Sequence, residues 1–215
     1  MAAVTAIVFH RDRRSKACRV DLDGESWRDL PTAVVKHLVL RVGDLVDASS
    51  LAGRVSAIEP DMAFQRALRL MHYRDHSVAE LLDRLCGDGY RVEVARDVVD
   101  RLRDSGILDD RRYAESRVRS LAGGRGYGRR RVALELDRRD IPPAVAMAAM
   151  DAAIPRDGER DRALELASRL MADSSRPPDR VVERIVRKGF SYEDARAAVR
   201  AVSEPEDGAS SYRRP

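Results

Sequence analysis

Apolar positions recur along the chain with two different periods, and the change falls near residue 60. Before it the pattern is short. Residues 5–12 (TAIVFHRD) open with an apolar run, and residues 18–24 (CRVDLDG) alternate, with Cys18, Val20 and Leu22 on one face and Arg19, Asp21 and Asp23 on the other. That period of two predicts strands, and Asp23-Gly24 is a hairpin signal. Two or three short strands ending near Trp27 are expected. A short helix over 31–40 should come next, with Pro31 in its first turn, and then a turn and another short helix within 41–51 (RVGDLVDASSL). A hairpin this small is marginal alone, so this β-containing segment should pack against the part of the chain beyond residue 60.

Beyond Asp61 the spacing becomes helical and repeats. With Tyr90, Ile141 and Phe190 as anchors, the same positions are apolar each time. Nine, eight and five places before them stand Leu81, Leu82 and Leu85; Val132, Ala133 and Leu136; and Val181, Val182 and Ile185. Five and nine places after stand Ala95 and Val99, Ala146 and Met150, Ala195 and Val199; twenty places before stand Leu70, Leu121 and Leu170. The pattern predicts three units of three helices, each helix of roughly ten residues. The punctuation agrees. Ser77-Val78-Ala79-Glu80 reads as a capping box, Ser191 precedes two acids of a first turn, Pro142-Pro143 and Pro177-Pro178 sit at helix starts, and Gly87, Gly89 and Gly189 fall where helices end. The expected fold is mainly α: three tandem three-helix repeats forming an elongated curved array, preceded by a small N-terminal β-containing segment. The expected divisions are 1–60, 61–107, 108–155 and 156–203, with a disordered tail over 204–215.

Charge changes the picture in one place. The 215-residue chain carries a formal net charge of +4, yet residues 111–131 (RRYAESRVRSLAGGRGYGRRR) hold eight arginines against Glu115 alone. Charged residues make up 35% of the chain, and all but three of its 40 basic side chains are arginine. A helix from Asp110 would place Arg112, Ser116 and Arg119 on one side and Tyr113, Val118 and Leu121 in its apolar stripe. A flexible glycine-rich loop with Arg125 and Tyr127 should come after it, and Arg129, Arg130 and Arg131 should open the next helix. Three cations in a first turn oppose the helix dipole at a few tenths of a kcal/mol each, which points to a partner that uses the charge. The free N–H groups of that helix end would also suit phosphate. DNA phosphates or an acidic protein surface fit equally, and Tyr127 either stacks on a base or packs.

Several stretches resemble the RecX family, regulators of the RecA recombinase: HSVAELLDRLCGDGY, LRDSGILDDRRYAESRVRS, GRGYGRRRVALELDRRDI and RKGFSYEDARAAV. The resemblance covers roughly residues 62–202, and its most specific part is GILDDRRYAESRV followed by GxGxxRxxxEL. It implies three tandem three-helix repeats, no enzymatic activity, binding in the groove of the RecA–DNA filament, and modulation, usually inhibition, of recombinase and coprotease functions in DNA repair and recombination. On this reading the partners are the RecA filament on single-stranded DNA and DNA phosphates, and no cofactor or metal is needed. The candidate contacts are Arg112, Arg119, Arg125, Tyr127, Arg129, Arg130 and Arg131, with Arg138 and Arg139 beside them.

Other chemistry is thin. Asp109 and Asp110 could hold a magnesium ion, but one of them more simply caps the helix they open. His72 and His76 stand four apart, a metal-capable spacing at a basic helix end, with no third ligand near. Cys18 and Cys86 make neither a disulfide framework nor a zinc site, and Cys86 extends an apolar stripe. No signal peptide or membrane span is evident, so a reduced cytoplasm is expected; the chain is also expected to be a monomer. Two competing readings stand beside the first: a direct DNA-binding protein of helix-turn-helix type, and a nuclease built on Asp109, Asp110, His72 and His76.

Overall fold

The computed structural model describes residues 1–10, 16–172 and 176–204. The expected tail, apart from Glu204, lies outside them. The chain divides into two compact units, Met1–Asp110 and Arg111–Pro215.

The first unit opens with β1 (Ala2–Phe9), β2 (Ala17–Leu22) and β3 (Glu25–Pro31), followed by α1 (Thr32–His37) and the two-residue β4 (Leu45–Val46). They form one antiparallel sheet in the order β3-β2-β1-β4. The hairpin turns at Asp23-Gly24, both in the left-handed region. Strand β3 therefore runs four residues past the expected end at Trp27, because its pairing with β2 continues to Ala17↔Pro31. The alternation holds for Cys18, Val20 and Leu22, which are buried. Asp21 departs from it. A bulge between Val20 and Asp21 turns this carboxylate inward, where it is 9% exposed and pairs with Arg19 at 2.9 Å.

The second short helix expected near residue 48 is instead the start of α2 (Ala48–Tyr73), 26 residues long and continuous through Pro60 and the expected boundary at 60/61. Asp47 caps it by accepting the Ser50 N–H. The helix then serves two partners. Leu51 and Val55 share a core with the sheet, and Ala63, Ala67 and Leu70 share the same core with α3 (Val78–Gly87) and α4 (Val92–Asp104). Glu59 lies fully inside that core. Its oxygens take the Arg91 backbone N–H at 2.9 Å and the Arg91 Nε at 2.8 Å, which satisfies both the acid and the start of α4.

The second unit holds two further trios. One is α5 (Asp110–Arg119), α6 (Arg129–Asp137) and α7 (Pro143–Ala153); the other is α8 (Glu159–Met171), α9 (Pro178–Arg187) and α10 (Tyr192–Ser203). Each trio closes its own core, with Tyr113, Val132, Leu136, Ile141 and Met150 in one and Leu166, Val181, Ile185, Phe190 and Val199 in the other. No strand is found beyond residue 46 among the described residues.

Two acids make matching long-range bonds to helix starts. Within the first unit Asp110 Oδ1 accepts the Val78 N–H at 2.9 Å, and within the second Glu159 Oε1 accepts the Arg129 N–H at 2.9 Å. A second link uses the turn before the anchor residue. At Gly189 (φ +96°) a Cβ would strike the Arg131 nitrogen, and at Gly89 (φ +94°) one would lie 2.8 Å from the Ala17 Cβ. Glycine is required at both by the backbone angle and by the neighbouring chain.

Candidate nucleic-acid interface

The basic stretch begins on α5, whose Tyr113, Ala114 and Val118 face inward. The expected flexible loop is instead ordered. Ser120–Gly124 forms a widened π turn that continues the helix. The Tyr127 N–H then donates to the Leu121 carbonyl, and the Gly128 N–H donates to the Lys188 carbonyl of the third trio. Gly126 has φ +61°.

Tyr127 becomes the centre of a cation cluster. The Arg125, Arg131 and Lys188 charges lie 6.0, 5.5 and 5.6 Å from its ring centre. Cations over a ring face are attracted by its quadrupole. Lys188 Nζ also donates to the Arg125 carbonyl. Gly126, the residue before Tyr127 and close to both Lys188 and Arg169, also lines a cavity of about 390 Å³, together with Arg119, Arg162, Arg169, Gly123 and Phe190. Its acid is Glu165. Arg162 is held by Glu159 at 3.2 Å and by the Tyr127 carbonyl. The exposed side chains of Arg119 and Arg169 have no partner among the described residues.

The other candidate residues go elsewhere. Arg129 is turned inward, its side chain 13% exposed, with NH1 donating to the Met150 and Ile154 carbonyls and NH2 paired with Asp151 at 2.6 Å. It closes the C-terminus of α7, where a cation is favoured. The N–H groups expected to be free at the start of α6 are occupied: Arg129 N–H by Glu159 and Arg130 N–H by the Gly189 carbonyl. That helix end therefore offers no phosphate site, and Glu159 places a negative charge at the positive end of the helix dipole. Arg131 also pairs with Glu135 at 2.8 Å, and Arg138 shares the same acid at 3.4 Å. Arg112 and Arg139 are each engaged by the protein. Arg130 lies on a second groove with Met147, Arg156 and Asp194.

The structure thus gathers Arg119, Arg125, Tyr127 and Arg131 and disperses the rest. It adds Arg162, Arg169 and Lys188, which the sequence reading missed because they lie in another repeat, far along the chain from the basic stretch. Lys188 alone carried a signal, as one of only three lysines, in the turn before Phe190.

The alternative chemistry also finds its place. Asp110 caps α3, more than thirty residues earlier in the chain, and Asp109 is itself engaged by the protein. Burial, ahead of the neighbouring Asp109, raises the Asp110 carboxyl pKa, while the bond from Val78 opposes that. His76 is not on the helix of His72, since α2 ends at Tyr73. It is buried, Nδ1 donates to the Arg74 carbonyl at 2.9 Å, and burial holds its pKa below the usual histidine value. Burial likewise raises the Cys86 thiol pKa. Among the described residues no three His, Cys, Asp or Glu side chains converge as a metal site, and no helix is long and apolar enough to cross a membrane.

Comparison with known proteins decides the family. Models of the first and second three-helix domains of RecX match residues 63–102 and 109–150. The regulatory protein RecX of Chromohalobacter salexigens is 33% identical over 135 residues, which is 62% of this chain and 88% of that protein. That of Stenotrophomonas maltophilia is 34% identical over 149 residues, 66% of this chain and 87% of its own length. The chain belongs to the RecX family. Its fold is shared with solved RecX structures. One covers 95% of this chain at a TM-score of 0.59, and that from Lactobacillus salivarius covers 68% at 0.61, each at 20% identity. The two RecX domain models end before α8, so Arg162, Arg169 and Lys188 lie outside the segments they match.

Proposed function

We propose that this protein is a non-enzymatic regulator that binds the RecA–single-stranded DNA filament and inhibits its recombinase, ATPase and coprotease activities. The groove beside Tyr127 is its electropositive contact. One observation carries the choice of site. Cations from two repeats crowd one aromatic ring and one cavity, and two of them, Arg119 and Arg169, are exposed and have no partner among the described residues. Like charges gathered this closely repel one another, and an anionic partner relieves that repulsion. Arginine forks then hold phosphate or carboxylate in a fixed geometry. The proposed action is steric and electrostatic: the bound protein spans the filament groove and biases the filament toward a less active state. The N-terminus of α6 and Arg129 are consumed inside the fold, which favours the groove over that helix end as the contact.

The test is one titration in two arms, the protein added to RecA assembled on single-stranded DNA and to the bare DNA at the same salt. Binding to the filament with falling ATP turnover, well below the concentration that coats bare DNA, is expected. The double variant Arg119→Glu and Arg169→Glu should lose inhibition with its helicity unchanged. Full inhibition by that variant would falsify the site. Equal affinity in both arms, with no ATPase effect beyond competition for DNA, would overturn the filament as target.

A further inference from the structure

We propose that the first unit carries a nucleotide-binding pocket between its sheet segment and its first helix trio, with a phosphate group held by Lys16, Lys36 and Arg69 and a ligand hydroxyl donating to Asp88.

The pocket is a cavity of about 230 Å³ whose polar lining comes from Lys16 ahead of β2, Lys36 on α1, Arg66 and Arg69 on α2, and Asp88 and Tyr90 in the turn between α3 and α4. Four cations from three separate segments converge on it, against one acid. Two of the chain's three lysines are among them. The side chains of Lys16, Lys36 and Arg69 are exposed and have no partner among the described residues. Gathering unpaired like charges at one small cavity works against the fold and is relieved by an anion.

Asp88 is the second, independent pointer. It is 1% exposed, and its Oδ2 takes the Arg66 Nε at 2.6 Å, while its Oδ1 has no partner among the described residues. Buried polar atoms are almost always hydrogen-bonded, and an exception needs an explanation. The repeat does not require an acid here, because two places before the other anchors stand Arg139 and Lys188. An acid peculiar to this turn, paired on one oxygen and empty on the other, fits a ligand that brings a donor.

The walls are preformed. Gly89 sits so close to the Ala17 Cβ and to the Leu30 and Pro31 backbone that the turn is pinned against β2 and β3. The volume then selects among phosphate ligands. It falls below the roughly 300–1,000 Å³ of sites that enclose a drug-sized molecule. A phosphate and its sugar fit, and the base is left outside. Free nucleotide and the phosphorylated end of single-stranded DNA share this chemistry.

Titration calorimetry on the full chain separates the two sources. The probes are AMP, inorganic phosphate, and a short oligonucleotide with and without a 5′ phosphate. Wild type should bind AMP more tightly than inorganic phosphate. The double variant Lys16→Gln and Lys36→Gln should weaken AMP binding by about tenfold or more, with unchanged helicity and a melting temperature no lower than that of wild type. The Arg119→Glu and Arg169→Glu protein should bind AMP like wild type, which keeps this test apart from that of the Tyr127 groove. A preference for the 5′-phosphorylated oligonucleotide, also lost in the lysine variant, assigns the pocket to a DNA end; without that preference it is assigned to free nucleotide. The proposal is overturned by no AMP binding at millimolar concentration, by AMP binding no tighter than phosphate, by an unaffected lysine variant, or by loss in the Arg119/Arg169 variant.

Discussion

Arg129 shows how little the identity of a residue says about which way it points. It sits in the most basic stretch of the chain, between Gly128 and two further arginines, and by sequence it is a phosphate contact like its neighbours. In the fold its guanidinium satisfies two carbonyls at the end of α7 and pairs with Asp151. Such a planar fork meets several fixed acceptors at little entropic cost. Arg130, one place on, lines an open groove. Arg129→Ala should therefore destabilise the protein by about 1–3 kcal/mol, and Arg130→Ala should stay within about 0.5 kcal/mol of wild type. Urea denaturation of the two variants reads this difference, and equal stabilities would contradict the inward role of Arg129. His76 makes the same point in the other direction. Its spacing from His72 assumes a continuous helix, but Arg74 is extended, and the ring instead packs inside.

At the scale of elements the repeat was legible in detail. In all three trios the positions nine and five before the anchor are buried and the one between is half-buried, as helical spacing requires. The caps at Ser77 and Ser191 form as their sequences indicate, each hydroxyl accepting an N–H three residues on. The long-range links within each unit were not legible, since they tie together residues about 30 apart or more and use an ordinary acid or glycine to do it. Gly189 is the most constrained of these. A Cβ there would strike the Arg131 backbone, which cannot move separately from α6, and the backbone angle itself is strained for any other residue. Gly189→Ala should cost at least about 2 kcal/mol. Gly53, inside α2 with open space around it, is the control, and Gly53→Ala should stabilise by about 0.5–1 kcal/mol. Thermal unfolding of the two variants should move in opposite directions.

For the whole molecule, the small net charge of +4 hides a strong local asymmetry. Affinity for an anionic partner should track the Tyr127 groove rather than the total. If about four arginine or lysine side chains there meet single-stranded phosphates, the log–log dependence of filament binding on salt should have a slope near about −3. The Arg119→Glu and Arg169→Glu protein should show a clearly shallower one. A slope unchanged by those substitutions would place the contacts on another face.

Residue order along the chain is enough to read the helical trios, their apolar faces, the hairpin, the caps and the family. All of these depend on spacing within one element, or on motifs whose residues lie close together. Packing between distant elements sets which arginines are free, where Tyr127 meets Lys188, that Glu159 fills the end of α6, and that Lys16, Lys36 and Arg69 share a cavity with Asp88. Those outcomes depend on the packing of elements far apart in the chain. A charged side chain takes whatever partner that packing brings within reach, and its own sequence neighbours do not specify the partner.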